Sequence, residues 1–95
     1  MPSAAQIATM NRLAGEVDRL HVSIAQTNKK IADLEARIAE RVSAFHRATS
    51  DGVRRSAQNS VDQYRRQINE CHKQNANYVA QIEQKRAEYN RLERL

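Results

Sequence analysis

The sequence predicts an all-α fold, an antiparallel two-helix coiled-coil hairpin that assembles further into a four-helix bundle. Three observations predict it. An apolar stripe runs nearly end to end with alternating steps of three and four residues, the a/d spacing of a coiled coil. The stripe breaks once, near Gly52, at the one turn-like cluster, Thr49-Ser50-Asp51-Gly52. The chain also holds only two glycines and one proline, with 28% charged and 4% aromatic residues, which suits long helices and not a globular core.

The first helix is expected over about residues 4–48. Ser3 followed by Gln6 has capping-box spacing. Its stripe reads Met10, Leu13, Val17, Leu20, Ile24, Thr27, Ile31, Leu34, Ile38, Arg41 and Phe45. Gly15 weakens this helix by up to ~1 kcal/mol, but no proline interrupts it. Residues 49–52 form the expected turn, with Asp51 and Gly52 at its centre and Asp51 or Ser50 as cap of the second helix. That helix is expected over about 53–95. Its stripe reads Ala57, Val61, Tyr64, Ile68, Cys71, Asn75, Tyr78, Ile82, Lys85, Tyr89 and Leu92.

One register pairs the two stripes. In an antiparallel coiled coil, a positions layer with d positions of the partner helix. Here that condition puts Ile38 with Tyr64, Leu34 with Ile68, Ile31 with Cys71, Ile24 with Tyr78, Leu20 with Ile82 and Leu13 with Tyr89. Phe45 meets Ala57, and Met10 meets Leu92. Thr27 falls opposite Asn75, so the two mid-seam polar residues share a layer where a hydrogen bond fixes register at some cost in stability. Arg41 and Lys85 fall opposite Val61 and Val17, where their stems pack and their charges reach out to water.

A two-in-seven stripe is too narrow to cover a chain of 95 residues, so self-association or another helical protein is expected as partner. Two outer rows are candidates for that contact, against the readings that alanine is simply the best helix former and that the polar row is a solvated face. Val22, Ala25, Ala32, Ala36 and Ala39 form a row of mostly small residues on helix 1. Gln63, Gln67, Glu70, Gln74, Asn77, Gln81, Gln84 and Glu88 form a polar row on helix 2.

The net charge is +5, and residues 41–66 account for +4 of it, with six arginines against Asp51 and Asp62. Arg47, Arg54, Arg55, Arg65 and Arg66 make this a basic tip. Two readings compete. Arg55 and Arg66 each follow an aspartate by four residues, the spacing of ordinary helix ion pairs, so the tip is expected to be solvated and self-paired. The lesser alternative is contact with nucleic acid or another anionic surface. Against nucleic acid, Phe45 and Tyr64 are used by the seam and no binding motif is present.

No enzyme is expected. His21, His46 and His72 share no metal-ligand spacing, and adjacent Cys71 and His72 point about 100° apart on a helix. No glycine-rich loop cradles phosphate, so neither a metal nor a cofactor is expected. Cys71 is alone and lies in the seam, where it acts as a small apolar residue. No run of ~18–20 apolar residues suggests a membrane span, and residues 1–11 lack the basic n-region of a Sec signal. The expected compartment is the cytoplasm, with export by a route lacking a cleaved signal as the alternative.

Chain length, two helices and the turn at Ser50-Asp51-Gly52 resemble the Trp-X-Gly family of small type VII secretion hairpins. This chain has serine where that family has tryptophan. Accessory partners of the larger toxins exported by the same system are similar hairpins and often lack the tryptophan. Tyr89-Asn90-Arg91-Leu92-Glu93 matches the family's tail pattern, Tyr-x-x-x-Asp/Glu. The resemblance implies a protein without enzymatic activity. It would pair with a related hairpin or a toxin's helical region, with Tyr89 and Glu93 in a composite export signal.

Overall fold

The computed structural model describes all residues, Met1–Leu95. It holds two α-helices, α1 (Ala4–Arg47, 44 residues) and α2 (Asp51–Glu93, 43 residues), packed against each other as a hairpin. Every peptide bond is trans and no residue has a positive φ.

The start of α1 is the expected capping box. The Gln6 amide donates to Ser3 Oγ at 3.1 Å, and the Ser3 amide donates to Gln6 Oε1 at 2.7 Å. The connection is shorter than predicted, only Ala48, Thr49 and Ser50. Ser50 is the cap of α2. Its hydroxyl accepts from the Val53 amide at 3.3 Å, and its carbonyl accepts from the Arg54 amide at 3.2 Å. Asp51 and Gly52 are therefore the first two helical residues and not the turn. Gly52 keeps a negative φ, so the chain reverses without a left-handed residue. Asp51 suits the first turn because its carboxylate faces the positive end of the helix dipole.

The chain divides into two compact units, and both helices contribute to each. Unit 1 joins Met1–Gln26 to Gln74–Leu95. Leu13, Ile82 and Leu92 are buried there, and Met10, Val17, Leu20, Ile24, Asn75, Tyr78 and Tyr89 are half-buried. The Met1 ammonium donates to the Leu95 carbonyl at 2.6 Å.

Unit 2 is Thr27–Lys73. Its core is a cluster of Ile31, Leu34 and Cys71, with Tyr64 and Ile68 packed against it. These residues are the expected Leu34–Ile68 and Ile31–Cys71 layers together with Tyr64. Thr27, Ala57 and Val61 are also buried, and Ile38 and Phe45 are half-buried.

One seam position departs from the heptad reading. Arg41 is exposed, and Val42 is half-buried in its place, lining a cleft with Phe45, His46, Gln58 and Val61. The cause is geometric. A straight helix of 3.6 residues per turn drifts about 20° per heptad against a 3.5 repeat. Towards the end of α1 that drift turns the d position outwards and brings the following e position in.

Candidate functional site

Two kinds of surface emerge on these helices, a cleft along the seam of unit 1 and the arginine-rich surface of unit 2. The unit 1 cleft has a volume of about 210 Å³ and is lined by Leu13, Ala14, Val17, Asp18, Lys85, Arg86 and Tyr89. It brings together the expected neighbours Leu13 with Tyr89 and Val17 with Lys85. Lys85 is half-buried, as its seam position requires, and its ammonium reaches Glu16 Oε2 at 2.8 Å. Arg12, one turn earlier, donates to Glu16 Oε1 at 3.0 Å. Glu16 is thus clasped by two cations. The hydrogen bond from Lys85 chiefly holds its carboxyl below the usual carboxylate range, with Arg12 adding to it and burial opposing it. The heptad pattern did not reveal Glu16. The available signal was its place beside Val17, which faces Lys85 in the predicted register.

Arg86 Nη2 lies 3.3 Å from His21 Nε2. Tyr89 is half-buried in the cleft, whereas Glu93 is the exposed last residue of α2. The outer alanine row is exposed throughout, and of the polar row only Gln67 is half-buried.

In unit 2 the two expected pairs, Asp51 with Arg55 and Asp62 with Arg66, do not form. Asp51 pairs with Arg54 at 3.1 Å and not with Arg55. A second nitrogen of Arg54 donates to the Ala48 carbonyl at 3.2 Å, tying α2 to the connection that follows α1. Asp62 accepts from Gln58 Nε2 at 2.9 Å and forms no ion pair with Arg66. Arg41, Arg47, Arg55, Arg65 and Arg66 are all exposed and without an acidic partner. Each aspartate is held on one oxygen by a local neighbour, Asp51 by Arg54 and Asp62 by Gln58.

No three of the His, Cys, Asp and Glu side chains converge on one point. Cys71 is a buried free thiol in the unit 2 core. Neither helix is long and apolar enough to cross a membrane. No protein-family model, curated protein or solved structure matches the chain.

Proposed function

We propose that this chain is a non-enzymatic assembly module, a hairpin that completes its burial against a second copy or another helical protein. The observation that carries the reading is the amount of surface left in water. The chain exposes 6901 Å², whereas a compact monomer of its 10.9 kDa mass exposes about 5,600 Å². The excess is larger than the ~800 Å² that one partner contributes to a typical stable interface. The two units also leave Ile7, Val22, Val53 and Val79 between 46% and 56% exposed, and no large side chain is below 2%.

The test is the mass in solution by light scattering across micromolar concentrations, for the chain alone and with small helical proteins encoded beside it. A mass above 10.9 kDa in either case supports the module. A strict monomer that captures none of those proteins removes the reading.

A second reading follows the family resemblance, in which the chain is a type VII-like exported substrate or a toxin-targeting accessory. The exposure of Glu93 and the partial exposure of Tyr89 favour it, since an export signal has to be reached by its receptor.

A further inference from the structure

We propose that the exposed face of α2 within unit 2 binds the phosphate backbone of duplex nucleic acid, without reading its sequence. The inference does not rest on assembly. It begins from the two expected ion pairs that do not form. Asp51 and Asp62 do not engage Arg55 and Arg66 as helix ion pairs. Instead Arg55, Arg65 and Arg66 stand exposed with no acidic partner.

Their placement is ordered. Arg55 and Arg66 are eleven residues apart, which on a helix is about 16 Å along the axis and only about 20° around it. Arg65 flanks Arg66. Exposed Asn59 and Asn69 lie on the same face, one turn after Arg55 and Arg66, and add neutral hydrogen-bond donors. Three acids share this face, Asp51, Asp62 and Glu70, and none pairs with these arginines; Asp51 pairs with Arg54 at 3.1 Å. Asp62 accepts from Gln58, and Glu70 pairs with Lys73 at 3.3 Å. The face carries exposed arginines and amides along one helix, with Asp62 between Arg55 and Arg66; arginines placed this way contact phosphates while leaving the base edges alone.

Three features favour a duplex over other anions. The aromatics of unit 2, Phe45 and Tyr64, are half-buried in the seam, so no ring is offered for the base stacking that holds single strands. Arg65 and Arg66 lie about four turns into α2, so the cations extend along the helix beyond Arg47, Arg54 and Arg55 at the turn, further than a flat lipid surface meeting the hairpin end-on would reach. Arginine is also the side chain whose planar fork matches phosphate oxygens in pairs.

The test is fluorescence anisotropy with a labelled 20-base-pair DNA duplex and its RNA counterpart, from 50 to 200 mM KCl. Three phosphate contacts predict a log–log salt slope of about −2.7, or roughly 40-fold weaker binding across that range. The triple variant Arg55→Gln/Arg65→Gln/Arg66→Gln should lose at least about tenfold in affinity at 50 mM, with helicity unchanged by circular dichroism. A control with the same charge loss in unit 1, Arg19→Gln/Arg91→Gln/Arg94→Gln, should keep its affinity. Binding to either duplex with this pattern supports the proposal. It is overturned by absence of binding at 50 mM, by equal loss in the control, by tighter binding to a single strand of the same length, or by retention on phosphatidylserine vesicles without binding to either duplex.

Discussion

Leu34 is 3% exposed within the Ile31–Cys71 cluster, with Tyr64 and Ile68 packed against that cluster. Leu34→Ala should therefore cost about 2–5 kcal/mol, because the removed methyl groups leave a cavity that rigid helices close only in part. Ala36→Ser, on the exposed face of the same helix, should stay within about 0.5 kcal/mol of wild type. Urea denaturation compares the two, and equal midpoints would contradict this core. Glu16 gives a pH-dependent counterpart. Its carboxyl is held below the usual range in the folded state, so the stability it supplies is present above the unfolded-state pKa and disappears as pH falls through the folded one. Wild type should exceed Glu16→Gln in melting temperature at pH 7, and the gap should close below the ordinary carboxylate range. A gap that persists at pH 2 would show that the charge is not its source. Leu34 was readable from spacing alone. Glu16 was not, because a heptad marks which residues face inwards and not which polar neighbour a seam lysine will find.

At the scale of elements, the capping box at Ser3 and Gln6 was legible in four residues of sequence, and the structure forms both of its hydrogen bonds. The junction was less legible. Thr49-Ser50-Asp51-Gly52 contains several residues able to cap or turn, and the local pattern does not rank them. The structure selects Ser50 and leaves Gly52 inside α2 with open space where a Cβ would stand. Gly15 has the same freedom in the middle of α1. Gly15→Ala should stabilise the fold by about 0.5–1 kcal/mol, and Gly52→Ala by less but with the same sign. Ser50→Ala should destabilise by about 0.5–2 kcal/mol. Thermal melts check the three together. A lowered melting temperature for Gly52→Ala would restore it to the turn.

For the whole molecule, incomplete burial makes stability depend on concentration. If the chain self-associates, its melting temperature should rise with protein concentration, since only the folded hairpin presents the interface. A melting temperature constant over a hundredfold range would leave only a different protein as partner. By itself the sequence determined the two helices, their hairpin packing and which residues are buried along most of the stripe. Those follow from periodicity and from the apolar character of individual side chains, both properties of the chain itself. Only the tertiary structure decided that Val42 replaces Arg41 and that Lys85 closes on Glu16. Each of those outcomes depends on helix drift of a few tens of degrees and on which of several nearby polar atoms a long side chain reaches first. A one-dimensional pattern carries neither distance.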